Sequence, residues 1–423
     1  MSAEPLNEVK NSASSRASRG SGWHAMSAGY LGWALDAFDF FTLVFLVDIL
    51  AVQFHVSKSD IVWTLTATLA MRPVGALLFG LLTDRYGRRG PLMGVVIFFS
   101  LIEFLCGFAN SYSMFLALRA LYGIGMGGEW GVGASLAMES VPARRRGLAS
   151  GFLQSGYSVG YLLAALAARF LLPAAGWRFM FWVGGAAGAL LPFYVWARVP
   201  ESEAWKQNRA PSTGAILRAA FRNSKSLLYL VLMMTLMMFL SHGSQDLYPD
   251  FLKTARHITS RAVSEMAMLY NVGAVLGSMV FGQLSEMFGR RRTIMAALVL
   301  PLISIPAWAF GGSWPMLAAG AFLMQAGVQG TWGIVPAHLT ELSPDALRGL
   351  IPGFVYQLGI LFASPTNTME YALRDRLGYS WALTCFEAVT IVLLAIVILF
   401  GPEQHGKSFF RESGAQEKEL TAN

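Results

Sequence analysis

Arg72 sits near the middle of an apolar stretch, 60–82. A charge at that depth in a bilayer costs several kcal/mol unless it is paired or faces water. A guanidinium is a planar fork that matches a carboxylate with two parallel hydrogen bonds. Arg72 therefore either anchors an organic acid or forms a permanent ion pair with Asp36 or Asp39. Those two acids are three residues apart at mid-depth of the stretch 25–50, near one helix face. Burial and a neighbouring arginine pull a carboxyl's proton affinity in opposite directions. A group held between them can take and release a proton, or simply neutralise Arg72. Glu129 lies among Gly127, Gly128 and Gly131, where helices approach closely. Arg119 is ten residues away, about 15 Å along a helix, so the two do not pair directly.

A second group falls near 241–246. His242 and Asp246 are four apart and share a face, and His242 can titrate near neutral pH. Ser244 and Gln245 beside them can hydrogen-bond a carboxylate or hydroxyl. Asn271, Gln325, Gln329, Tyr356 and Gln357 can supply the remaining wall of a cavity, or act as polar packing between helices. No His, Cys and carboxylate spacing indicates a metal, and no motif indicates a cofactor. The two cysteines, Cys106 and Cys385, both lie in apolar segments as packing residues.

What positions these residues is a set of membrane-crossing helices. Hydrophobic residues make up 55% of the 423, charged residues 13%, and mean hydropathy is +0.49. Soluble domains carry about 25% charged residues. Twelve apolar runs reach the roughly 20 residues a helix needs to cross. They are 25–50, 60–82, 91–109, 113–137, 147–171, 177–197, 226–250, 262–284, 293–312, 315–338, 350–371 and 379–400. The fold class is all-α integral membrane, with twelve transmembrane helices in two pseudo-symmetric halves.

The halves are visible as a repeat. Gly80-Leu-Leu-Thr-Asp84-Arg85-Tyr-Gly87-Arg88-Arg89 returns as Gly282-Gln-Leu-Ser-Glu286-Met-Phe-Gly289-Arg290-Arg291, an offset of 202. Gly128-Glu-Trp130-Gly131 returns as Gly330-Thr-Trp332-Gly333 at the same offset, with Thr331 in place of Glu129. Glu139, Arg146 and Gly147 return as Glu341, Arg348 and Gly349. Parallel halves around a central site are the plan of many secondary transporters.

The organisation follows. Residues 1–22 read as a disordered tail and 23–197 as the first six-helix half. Residues 198–225 form a central polar loop, which is either a tether or a surface-lying helix around Trp205. Residues 226–401 are the second half and 402–423 a charged tail. Of 32 Lys and Arg, 22 fall in the tails, the central loop and the loops on their side, against seven on the other. The net charge of +7 thus marks a cytoplasmic face, with both termini inside, rather than nucleic-acid binding. The setting expected is a bacterial inner membrane, with the protein acting as a monomer.

These motifs resemble a known family. Gly80 to Arg89 looks like the signature loop of the major facilitator superfamily, and Arg119-x-x-x-Gly123-x-Gly125-x-Gly127 resembles its helix-4 motif. Arg119 matches the superfamily arginine associated with proton coupling. More narrowly, Trp33-Ala-Leu-Asp36-Ala-Phe-Asp39, Gly127-Gly-Glu129-Trp130-Gly131 and Pro200-Glu201-Ser-Glu-Ala-Trp205 resemble the sialate and monocarboxylate proton symporters. Ser241-His242-Gly-Ser244-Gln245-Asp246 is similar to the helix-7 motif of fungal lactate and pyruvate permeases, with Met238 and Asp250 where that motif has Asn and Thr. The chain has no room for the extra central helices of sialic acid members.

The resemblance implies a proton-coupled uptake carrier for a small monocarboxylate such as lactate or pyruvate. The alternatives are a carrier of sialic acid, an aromatic acid or another larger organic anion, or a sensor that kept the fold. No nucleophile–base pattern or ATP motif points to an enzyme. The charges Asp84, Arg85, Arg88 and Arg89, with Glu286 and Arg290, are expected to latch the inner ends of the helices. Glu139 with Arg146 and Glu341 with Arg348 are the expected partners, and exposed pairs of that kind are cheap to remake.

Overall fold

Ser57 accepts a hydrogen bond from Asp60 N (3.2 Å), while the Asp60 carboxylate accepts one from Ser57 N (2.9 Å). This reciprocal cap satisfies backbone donors that a helix start otherwise leaves orphaned. It opens α2, Lys58–Tyr86. Thr259, 202 residues later, caps α8, Ser260–Phe288, through Ala262 N. The sequence repeat thus reappears as repeated local structure. The same holds at the other ends. Gly87 (φ +112°) and Gly289 (φ +86°) turn the chain from α2 into α3, Arg89–Cys106, and from α8 into α9, Arg290–Phe310. Only glycine holds such a φ without strain.

The computed structural model of the chain describes residues 4–209 and 212–410. Among these residues twelve long helices bear out the twelve-span reading. Besides α2, α3, α8 and α9 they are α1 (Glu4–Phe54), α4 (Tyr112–Ser140), α5 (Arg146–Leu166, continued by a π turn to Leu171), α6 (Trp177–Arg198), α7 (Ser224–Gln245), α10 (Trp314–Trp332), α11 (Ile351–Ala363) and α12 (Tyr379–Phe400). Three resume after a break: α7 as Tyr248–Thr254, α10 as Val335–Leu342 and α11 as Thr366–Leu377. The first helix starts at Glu4, so it takes in most of the segment 1–22 read as a disordered tail. At 51 residues it is far longer than a bilayer needs. Most of the 402–423 tail lies outside the described residues.

Eight of these helices cross a bilayer by length and apolarity alone. The other four are α1 and α4, each with buried charges, and α10 and α11, which are interrupted. Helices that pack around a site can carry charge or break, because their neighbours re-satisfy the backbone. Close packing fixes the first half. A methyl group placed on Gly127 of α4 would lie 2.0 Å from the Arg72 carbonyl of α2, so these backbones touch at Arg72. One buried apolar cluster runs from Trp33 and Trp130 in the first half to Trp332 and Tyr356 in the second.

The central loop, expected as a tether or a surface-lying helix, is partly helical and bonded to the first half. It forms short helices, Glu203–Asn208 and Thr213–Arg222. Glu201 accepts from the backbone N of Arg88 (2.8 Å), Ser202 Oγ donates to Glu139 (2.5 Å), and Trp205 Nε1 donates to the Asp84 carbonyl (2.9 Å). The loop is docked on the α2–α3 turn.

Candidate functional site

Arg119 of α4 is fully buried and donates through Nη1 to Asp39 of α1 (2.9 Å) and Glu103 of α3 (3.2 Å). Its guanidinium also lies 4.3 Å from the Tyr122 ring, and Tyr122 OH donates to Asp36 (3.3 Å). The partner of Asp39 in this structure is thus Arg119, not Arg72. Glu129, 0% exposed, points at α1, with Oε1 2.0 Å from where a methyl on Gly32 would lie; neither carboxyl oxygen has a hydrogen-bond partner.

Arg72, like Glu129, makes no ion pair among the described residues. It is 4% exposed, and its Nε and Nη2 have no partner. It lies within electrostatic reach of Asp36, Glu129, His242, Tyr157 and Tyr356. The groups from α1, α2 and α4 and those from α7 and α11 therefore converge between the halves. Tyr157 is a residue that sequence reasoning missed, because one tyrosine in a membrane span carries no distinguishing signal.

Around this point is a floor of rings. Trp130 stacks on Tyr356 (4.3 Å between centroids) and Trp33 on Tyr157 (5.3 Å), with Trp332 5.6 Å from Tyr356. The indole N–H groups of Trp33, Trp130 and Trp332 are all buried without a partner. Buried donors are normally satisfied, so such a group of three requires a reason.

The second-half candidates divide. His242 Nδ1 meets Asp246 at 3.1 Å, and their side chains are 40% and 36% exposed. Asn367 Nδ2 also donates to Asp246, at 3.3 Å. Ser244 and Gln245 are instead spent on α10: Gln245 Nε2 donates to Gln325 (2.8 Å), and Gln325 Nε2 donates to Ser244 Oγ (3.2 Å). Asn271 bonds its own helix at Ala267. Gln329 is half-buried one turn from Gln325, and Gln357 Nε2 donates across the halves to the Gly127 carbonyl (3.5 Å).

At the end bearing the basic loops, the expected partners change. Glu139 pairs with Arg88 (3.0 and 2.8 Å), and Glu341 with Arg290 (2.9 and 2.9 Å). Packing of α3 on α4 and of α9 on α10 sets these bidentate pairs, in place of Glu139 with Arg146 and Glu341 with Arg348. Arg146 reaches Glu341 across the halves (3.6 Å), and Arg348 turns to Asp345. Burial lowers the Arg348 pKa against the opposing pull of Asp345. Asp84 accepts from the backbone N of Gly349 (2.7 Å) and Leu350 (3.0 Å), and Glu286 accepts from Gly147 N. Arg85 lies 5.9 Å from the Tyr86 ring, and Arg89 Nη2 donates to the Trp196 carbonyl. These cross-half bonds close the basic end. Sequence reasoning also missed Glu103, Glu370 and Glu387, whose signal was a lone carboxylate inside an apolar span.

Comparison with known proteins places the chain in a family and a fold. The family model for the Major Facilitator Superfamily matches residues 29–249, and that for sugar and other transporters matches 233–419. A probable 4-methylmuconolactone transporter of Cupriavidus pinatubonensis is 32% identical, over 90% of each chain. A carboxylic acid transporter protein homolog of Saccharomyces cerevisiae is 31% identical over 84% of this chain, which spans 62% of that relative's length. The sialic acid transporter NanX of Escherichia coli is 27% identical, covering 89% of this chain and 92% of its own. Among solved structures, the human organic anion transporter MFSD10 superposes with a TM-score of 0.74 at 18% identity, covering 89% of this chain and 99% of its own. The proton:xylose symporter XylE gives 0.73 at 20%, covering 92% and 98%.

Proposed function

This chain belongs to the major facilitator superfamily, and on that premise we propose that it is a proton-driven carrier that brings an organic monocarboxylate into the cell by alternating access. The observation that carries the reading is Arg72, a buried guanidinium with two unpartnered nitrogens and no ion pair among the described residues. A carboxylate supplies the acceptors it lacks and the charge that neutralises it. Relatives named for carboxylic acid, sialic acid and muconate transport support an acid as cargo.

Proton coupling rests on the surrounding charges. Four carboxyls (Asp36, Asp39, Glu103 and Glu129) share a buried space with two guanidiniums, Arg72 and Arg119. A buried charge without a partner is expensive, so the excess acids favour bound protons. A carboxylate arriving at Arg72 adds one more negative charge and strengthens that requirement. With the basic loops read as the cytoplasmic face, the closed basic end is an inside-closed state.

Lactate and pyruvate are examples of the small cargo that fits this reading. The aromatic floor favours a second one, a larger planar acid. Trp130, Tyr356, Trp33 and Trp332 are flat apolar rings with three unpartnered indole donors, buried where the halves meet, and lactate has only a methyl group to set against them. The test is uptake into proteoliposomes under an imposed inward proton gradient, with lactate, pyruvate, benzoate, nicotinate and sialic acid as cargo. Accumulation that collapses with a protonophore supports the carrier reading. Uptake that ignores the gradient contradicts proton coupling, and failure of every acid contradicts the whole reading.

A further inference from the structure

Glu387 is 0% exposed in α12, and Glu370 is 1% exposed in the second segment of α11. None of their four carboxyl oxygens has a hydrogen-bond partner. The Thr384 hydroxyl and the Asn367 amide oxygen nearby are also buried without partners. The second segment of α11 packs on both α12 and α7. Gly243 of α7 leaves the space that Glu387 occupies, since a methyl there would lie 2.4 Å from Glu387 Oε1. This glycine sits between His242 and Ser244, inside the motif singled out from sequence.

The charged groups on the surrounding helices do not neutralise the pair. From α7 come His242 and Asp246, bonded to one another at 3.1 Å. On α11, Arg374 is one turn from Glu370 but turns to Asp375 (3.0 Å) and the ring of Tyr371 (4.5 Å). Arg376 is on the next turn. The face of α9 that packs on α12 carries no titratable group beyond its basic end. Two acids, with no cation and no donor, remain inside the protein. In that setting a carboxyl is stable as the neutral acid, which needs fewer partners than the anion.

We propose that Glu370 and Glu387 form a second proton-binding site in the second half, separate from the Asp39–Arg119–Glu103 cluster. Glu387 lies within electrostatic reach of Glu370, and Glu370 within that of Asp246. Asp246 and His242 are exposed between the halves, so the dyad is the way in and out for the protons. A carrier with a proton site in each half senses its conformation twice, because rocking changes the water access of both. The proposal extends the proton-driven reading, and its test needs no cargo.

The experiment is infrared difference spectroscopy of the purified protein in lipid, stepped from acidic to alkaline pH in H₂O and in D₂O. The wild type is expected to lose absorption from neutral carboxyl groups, with the band shifted by deuterium. Glu370→Gln and Glu387→Gln are each expected to remove part of that band, and the double variant to remove both parts. Gly243→Ala is expected to shift the Glu387 share while leaving both acids in place, which guards against a variant that folds poorly. A band unchanged by either Gln substitution overturns the proposal. So does a band that responds to sodium at constant pH, because the oxygens would then serve a sodium ion. Failure to carry any acid would sink the cargo assignment and leave this spectrum untouched.

Discussion

Asp84 and Glu286 perform the same task in opposite halves: each places its carboxylate on the N-terminal backbone of a helix in the other half. Asp84 accepts from Gly349 and Leu350 at the start of α11, and Glu286 accepts from Gly147 at the start of α5. Both acids also hold the arginine that pairs with Glu139 or Glu341. An acid at a helix N-terminus stabilises by about 0.3–1 kcal/mol, up to ~2 when partly buried. Two such contacts set a latch of modest strength, which a carrier has to break on each cycle.

Asp84→Asn and Glu286→Gln each weaken this latch without opening a cavity. Spin-label distances between the two halves at the basic end are expected to broaden toward longer values. The double variant broadens further. Distances identical to wild type in both single variants would remove the latch from the account.

Phe409 is a second fastening. It is buried between Arg146 (3.5 Å) and Arg348 (4.1 Å), one arginine from each half, at equivalent positions of the repeat. Arg146 Nη1 also donates to the Lys407 carbonyl, and Asn208 to that of Phe409. Cation–π contacts contribute about 0.5–2 kcal/mol each. Phe409→Ala is expected to raise the rate of cargo exchange several-fold. An unchanged exchange rate, with the fold intact, would mean the tail does not hold the closed end.

Asp39→Asn removes the closest charge partner of a fully buried arginine. Breaking a buried pair costs about 3–5 kcal/mol, and the remaining Glu103 at 3.2 Å keeps the loss near the lower figure. Thermal unfolding in detergent should fall by several degrees. A midpoint equal to wild type would show that Glu103 alone satisfies Arg119.

Trp130→Leu tests the aromatic floor. Stacking and ring burial at Trp130 predict about a tenfold loss of affinity for planar acids, equivalent to ~1.4 kcal/mol. Affinity for lactate should change little. Equal losses for both would mean Trp130 supports the fold rather than the cargo.

Much of this was legible in the residues. The repeat at 202, the twelve apolar runs and the basic side follow from composition and spacing, and the repeat reappears as matched caps, turns and ion pairs. Arg72, Asp36, His242, Asp246 and Tyr356 each stood out singly, because an isolated polar group in an apolar span must face something; that Arg72 lies near Asp36, His242 and Tyr356 is visible only in the folded chain. Partner choice was not legible. Glu139 meets Arg88 rather than Arg146 because α3 lies against α4, which depends on how helices pack and not on their order. Ser244, Gln245 and Gln325 looked like cavity groups and instead bind each other. Glu370 and Glu387 were passed over because each stands alone in a long apolar run, and only their burial together exposes the missing partners.

The most direct test of the account is calorimetric binding of a carboxylic acid and of its neutral amide to wild type, Arg72→Lys and Arg72→Ala. The account predicts that wild type binds the acid and not the amide. Arg72→Lys should keep the charge but lose the fork and weaken binding, and Arg72→Ala should abolish it. Equal binding of acid and amide, or full binding by folded Arg72→Ala, would contradict it.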